Sequence, residues 1–162
     1  MKADFYNLRQ GNLLTVYQNG YNNNFEIELN QDSGRIVQRA KFGGAISHTG
    51  IYLGKCPNTR VDIYIHNHPT QGKASIVNGN EFAQGMQIFW ENTPCSYSPE
   101  QIIQRGLDAV AYQLPYKVLS SNCQHLTSVV CTGKKQSRDL DKWMGAGVLF
   151  GAFFFGAKLL KA

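Results

Sequence analysis

The sequence predicts an α+β fold with an antiparallel sheet packed on helices. Segments with two-residue alternation come first, and segments with helical spacing and strong caps come last. The length, 162 residues, is enough for one domain with its own hydrophobic core. NLLTVYQ (12–18) is rich in β-formers and reads as a first strand. FEIELNQDSGRIVQRAKF (25–42) alternates on both sides of Asp32-Ser33-Gly34, a hairpin signature. After Gly43-Gly44, AISHTGIYLG is a short apolar strand ending at Gly54. Cys56-Pro57-Asn58-Thr59 supplies a turn, and RVDIYIH (60–66) alternates again. From Asn67 to Gly85 the composition is polar and glycine-rich, the pattern of a long surface loop, and MQIFW (86–90) reads as a further strand.

Helix signals are sharper. Ser98-Pro99-Glu100-Gln101 offers an N-cap serine, a proline at the first helical position and a glutamine in capping-box position. Ile103, Leu107, Val110 and Leu114 recur at helical spacing until Pro115. YKVL (116–119) is an extended link to a second helix from Cys123 to Thr132, closed by Gly133. Ser137 is placed to cap a third helix that continues into an apolar tail.

A hydrophobic content of 43% with 17% charged residues fits a globular chain and excludes wholesale disorder. The net charge of +5 is compatible with an anionic membrane surface or nucleic acid. The four cysteines (Cys56, Cys95, Cys123, Cys131) form no CxxC pair, and the N-terminus lacks the apolar run of a signal peptide. The expectation is a reducing, intracellular setting with free thiols and neither a zinc site nor a disulfide framework. Residues 1–142 read as the domain and 143–162 as a hydrophobic segment. WMGAGVLFGAFFFGA (143–157) carries no charge, and counting on through Leu160 with Lys158 snorkelling gives a marginal spanning length. Gly147 and Gly151 form a small-xxx-small pair suited to close helix contact in a bilayer.

The candidate chemistry centres on Cys123. A cysteine in the first turn of a helix lies in the positive end of the macrodipole beside unpaired N–H groups, which favour thiolate and can hold an oxyanion. A thiol nucleophile needs a base. His125 lies two residues on and points away from Cys123 on a helix, which leaves it a core or hydrogen-bonding role. Alternation sets His48, Gly50 and Tyr52 on one face of their strand, and Tyr64, His66 and His68 on one face of the next. Adjacent antiparallel strands bring His48 near His66, one as base and one as its orienting partner. His66-Asn67-His68-Pro69 also begins the signature of JAMM zinc isopeptidases. The positions where that signature needs a serine and an aspartate hold Val77 and Asn80, so no metal or other cofactor is expected.

These motifs together resemble the lecithin:retinol acyltransferase and HRAS-like suppressor family. HTGIYLG is similar to its H-box and NCQHL to its NC-box. The flanks Tyr116-Lys117-Val118-Leu119 and Cys131-Thr132-Gly133, the capped helix SPEQIIQRGLDAVAYQL, the opening GNLLTVY and the apolar tail also match. The resemblance implies a circularly permuted papain-like (NlpC-type) domain with a hydrophobic C-terminal helix. It implies Cys123 as acyl-accepting nucleophile, His48 as base and His66 as orienting histidine, with His68 as its substitute. Phospholipid at a membrane surface is the implied partner and a thioester the implied intermediate. Among family members, the spelling HTGIYLG and the asparagine-rich N-terminal region are closer to the picornavirus 2A proteins that carry both boxes, which implies a host-cell cytoplasmic, membrane-associated protein. Two other readings compete: a catalytically impaired member of the same fold that recruits host proteins, and an RNA-binding module using Lys134, Lys135 and Arg138. Anionic headgroups explain those bases equally well.

Overall fold

The computed structural model describes residues 6–8, 12–17, 24–40, 47–137 and 141. Its elements are β1 (Tyr6–Leu8), β2 (Leu13–Tyr17), β3 (Asn24–Glu28), β4 (Ile36–Ala40), β5 (Ser47–Lys55), β6 (Asp62–His68), β7 (Lys73–Asn78), α1 (Gly79–Ala83), β8 (Ile88–Trp90), α2 (Pro99–Ala111) and α3 (Cys123–Thr132). Strands dominate the first half and the longer helices the second, so the expected α+β class holds. Every strand pairing is antiparallel.

The long strand β5 organises the sheet. Ile51 pairs with Ile36 of β4 on one edge and with Ile65 of β6 on the other. Beyond β4 lies β8, beyond β6 lies β7, and the β1–β2–β3 meander joins through Glu28 opposite Lys55. Both faces of β5 are buried. Alternation sends Ile51 and Leu53 into a core shared with Ile63, Ile65, Leu107 and Leu126, beneath α2 and α3. It sends Tyr52 to the opposite face, where Tyr64, Val77, Val37 and Phe82 of α1 form a second core. Apolar side chains on both faces of a strand leave it no solvent side, which is why the centre of β5, GIYLG, is an unbroken apolar run.

Two expectations need correction. Asp32-Ser33-Gly34 does turn the chain, but β3 and β4 do not form a hairpin. They lie one after the other along the same edge of β5, with Gly34 N–H donating to Tyr52 O (2.8 Å) and Tyr52 N–H to Arg35 O (2.9 Å) between them. Nine-residue β5 offers more edge than either short strand can occupy, and glycine permits the junction. Gly34 has φ +87°, and a Cβ there would lie 2.6 Å from Pro99 O at the start of α2. The second correction concerns 67–85. It contains the end of β6, all of β7 and the short helix α1, capped by Asn78 and Glu81 in a complete capping box. The N-x-x-E spacing carried that signal.

The forecast helices are present. Ser98 caps α2 through the box with Gln101, though α2 stops at Ala111, before Pro115. Asn122 caps α3, and Gly133 closes it at φ 74°. Of the third helix only Asp141 is described, its N–H donating to Ser137 O at 2.9 Å. The apolar segment 143–162 lies outside the described residues. Among those described, no helix is long and apolar enough to cross a membrane.

Gly50 is the tightest point of the second core. A Cβ there would stand 2.6 Å from Phe82 Cε2 and 2.9 Å from Ile65 O. Gly50→Ala is therefore expected to lower the unfolding free energy by about 1–3 kcal/mol through overpacking. Urea denaturation checks it; an unchanged midpoint would show that Phe82 can shift freely.

Candidate active site

Asn122 ends the extended segment, and its side chain accepts the His125 N–H (3.0 Å) while His125 Nδ1 accepts the Asn122 N–H (3.3 Å). That closes the box at the start of α3 and leaves Cys123 at the first helical position. His125 is thereby a capping residue, as its spacing from Cys123 required. Burial first, then the Lys135 charge, hold its pKa below the ordinary value, against the pull of Asp141. A neutral ring suits a nitrogen that must accept a hydrogen bond.

Two bonds fasten the first turns of α3 to the start of β5. Gln124 Nε2 donates to Ser47 Oγ (3.3 Å), and the Thr49 and Thr127 hydroxyls meet at 3.1 Å. Ser47 and Thr49 flank His48 in sequence, so Cys123 is carried to the end of the sheet where His48 stands. Cys123 is buried and not disulfide-bonded.

The histidines gather on the α1 face. His48 Nε2 and His66 Nδ1 lie 2.9 Å apart, fully buried. The pairing expected from strand adjacency is therefore present despite the 18-residue separation. His68 joins them, its ring centroid 4.9 Å from His48 and 5.5 Å from His66, on which it stacks. Phe82 closes the cluster, 5.2 Å from His48 and 5.9 Å from His66. It is thus His66 that bonds the His48 ring, while His68 Nδ1 accepts the Thr70 N–H at 3.3 Å.

The donor and acceptor in the His48–His66 bond depend on the tautomers. His66 Nε2 and Gln71 Oε1 are both buried without a hydrogen-bond partner of good geometry. Gln71 still lies near enough to favour a proton on His66. If Gln71 Oε1 accepts from His66 Nε2–H, His66 presents the Nδ1 lone pair to His48 Nε2–H and His48 Nδ1 is the basic nitrogen.

Sequence reasoning missed Arg39, Gln71 and Phe82. Arg39 sits directly across from His48 in the β4–β5 register, buried on the same face as Val37. Its Nη2 donates to Gln84 Oε1 at 2.7 Å. Burial lowers its pKa, and the Cys123 charge opposes that shift. Period-two alternation through IVQRA held the signal, since Arg39 shares parity with buried Val37. Gln71 and Phe82 were hidden by the polar composition around them.

The thiols also differ from expectation. Cys95 and Cys131 are joined by a disulfide, with Cα atoms 4.5 Å apart. Ser96 N–H donates to Cys131 O (2.7 Å), so the segment before α2 lies along the end of α3. A separation of 36 residues hides such a meeting from spacing rules.

No family model matches the chain, and no curated protein matches it.

Desolvation, then the His68 and Arg39 charges, push His66 down to about 3, against the favourable influence of Gln71. The unfolded chain takes up this proton near 6.5 and the folded chain refuses it, so stability is complete above that pH and declines as pH falls toward 3. The expected slope from this group is about 1.4 kcal/mol per pH unit. His66→Gln should flatten the acid side of a stability–pH curve measured by urea unfolding. An identical slope in the variant would place the acid sensitivity elsewhere.

Proposed function

We propose that this chain is a membrane-associated thiol enzyme of the H-box/NC-box type that cleaves or transfers phospholipid acyl groups. The carrying observation is the 2.9 Å His48–His66 pair at the end of the sheet to which the capped helix delivers Cys123. On this reading the site is of the permuted papain-like kind, and the picornavirus 2A proteins with both boxes are the proposed relatives. An apolar groove of about 360 Å³ between α2 and α3 supports an acyl substrate. Leu114, Leu126, Val129 and Val130 line it, with Arg105 and Lys135 as cationic groups and with Ser121 and His125 close to Cys123 in sequence. Val118 and Leu119, 61% and 76% exposed, protrude from the turn before α3 and suit contact with a lipid surface.

In the proposed reaction Cys123 Sγ bonds to the acyl carbon and its proton passes to His48 Nδ1. The ester C–O bond breaks, and the departing oxygen takes that proton as an alcohol. Water, or an acceptor amine, then attacks the thioester; its proton returns through His48 to the released sulfur. The amides at the start of α3 hold the oxyanion in both halves.

A second reading has its own observation. His48 is on the α1 face of the sheet, while α3 packs on the other. His66 lacks a closed bond at Nε2. An orienting histidine with one ring nitrogen unpartnered fits an impaired site in a protein that recruits host factors.

Incubation with mixed-acyl phospholipid and intact-mass analysis separates the two. The enzyme reading expects an acyl adduct on Cys123, none in Cys123→Ala, and a rate lower by roughly 10²–10⁴-fold in His48→Ala. Absence of an adduct across lipid and detergent conditions would sink it. Membrane association has a separate check: deleting 143–162 should release the protein from vesicles in flotation. Retained flotation would shift the anchor to the folded domain.

A further inference from the structure

Two amide side chains flank Cys123, and one buried hydroxyl ties them together. Asn122 precedes the thiol, Gln124 follows it, and Ser137, 2% exposed, lies against both. Asn122 Nδ2 donates to Ser137 Oγ at 3.3 Å, and Ser137 Oγ–H donates to Gln124 Oε1 at 3.0 Å. A serine hydroxyl has one proton to give and lone pairs to accept with, so it can serve both amides at once. The sequence places Ser137 to cap a further helix; in the fold its hydroxyl reaches back to the start of α3.

The chain arrives there by folding back along α3. Gly133 ends the helix in the left-handed region, and Ser128 Oγ donates to Lys134 O at 2.7 Å, which starts the return. Residues 134–137 then lead to the first turn, where Ser137 meets residues 15 and 13 positions earlier. Both amides it joins have further bonds. Asn122 Oδ1 accepts the His125 N–H that closes the cap, and Asn122 Nδ2 also reaches Val118 O at 2.9 Å. Gln124 Nε2 donates to Ser47 Oγ, the residue before His48. Ser137 therefore completes a run of bonds from the turn before α3, past both sides of Cys123, to β5. The first turn of a helix has no intrahelical partners for its own N–H groups and frays readily. A clamp before and after the thiol opposes that fraying at the one turn where it matters for Cys123.

We propose that Ser137 is a positioning residue for Cys123: its hydroxyl, acting through Asn122 and Gln124, keeps the first turn of α3 closed around the thiol. The inference rests on the reading of Cys123 as nucleophile. A thiolate at a helix start is favoured by N–H groups held toward it, and acyl transfer needs the same groups fixed for the oxyanion. Without the hydroxyl, Gln124 Oε1 loses this donor and Asn122 Nδ2 loses one of its acceptors. Each side chain then turns toward other partners, and the backbone between them is released. A displacement of about 1 Å in a reacting group is enough to slow a reaction about a hundredfold.

The test is the pH midpoint of iodoacetamide alkylation of Cys123 in the full chain, with peptide mass spectrometry separating it from Cys56. That midpoint reports how well the turn favours the anion, which a loss of stability elsewhere does not move. Ser137→Ala is expected to raise it by at least half a unit, about a threefold loss of thiolate at lower pH, and to slow acyl adduct formation roughly ten- to hundredfold. Ser137→Thr keeps the hydroxyl and should keep the wild-type midpoint. Ser128→Ala frees the returning segment at its other anchor and should leave the midpoint unchanged. The ionisable groups around the turn, Arg39, His48, Tyr116, His125, Lys135 and Asp141, stay in place in every variant. An unchanged or lower midpoint in Ser137→Ala, with or without a loss of stability in urea, would overturn the proposal. So would a shift of equal size in Ser137→Thr or in Ser128→Ala. If Ser137→Ala does not fold, Gln124→Met, which removes the acceptor of that hydroxyl, decides: a raised midpoint supports the proposal and a wild-type midpoint overturns it. Acyl adduct formation is read separately. A shift with no adduct in the wild type refutes the acyl-transfer reading and keeps Ser137, whereas a wild-type adduct with no shift in Ser137→Ala does the reverse.

Discussion

The site depends on β5 being paired along both edges and covered on both faces. Edge pairing places Arg39 on one side of His48 and the β6 histidines on the other. Face burial removes water from all of them. Gly50, two residues from His48, lets Phe82 lie against the sheet and close the aromatic and imidazole cluster. A strand with one solvated face could hold the same residues, but their charges would then be screened and their hydrogen bonds shared with water.

Burial gives the cluster its electrostatic character. The described residues place three imidazoles and one guanidinium on one face. Desolvation holds the His66 ring neutral, and the nearby Arg39 charge acts in the same direction. Neutral rings can sort into one donor–acceptor chain, from Gln71 through His66 to His48, which protonation would break. The helix start adds the complementary field. The unpaired amides at the start of α3 favour negative charge beside Cys123.

Much of this was readable from residue patterns, and the failures share one cause. Caps announce themselves locally: Ser98 with Gln101 and Asn122 before Cys123 are contacts within one turn, decided by neighbours in sequence. The two faces of β5 and β6 followed from alternation, which is also a local rule. The hairpin expectation failed because a turn fixes a change of direction and not a pairing partner, and β5 competed successfully for the edges of both β3 and β4. The region around β7 and α1 was passed over because its polar residues line an exposed rim while Ala74, Ile76, Val77 and Phe82 point inward.

The sequence by itself determined the class of fold, the capped helix that presents Cys123, the sidedness of the histidines and the exclusion of His125 from the chemistry. Those properties depend on contacts a few residues long. Only the tertiary structure decided that His66 bonds His48, that Arg39 lies opposite it, that Gln71 comes near His66 and that Cys95 joins Cys131. Each of these joins segments tens of residues apart, set by which strand edges pair and how loops cross a helix end. No periodicity within a segment encodes such meetings, because they belong to the packing of the whole domain.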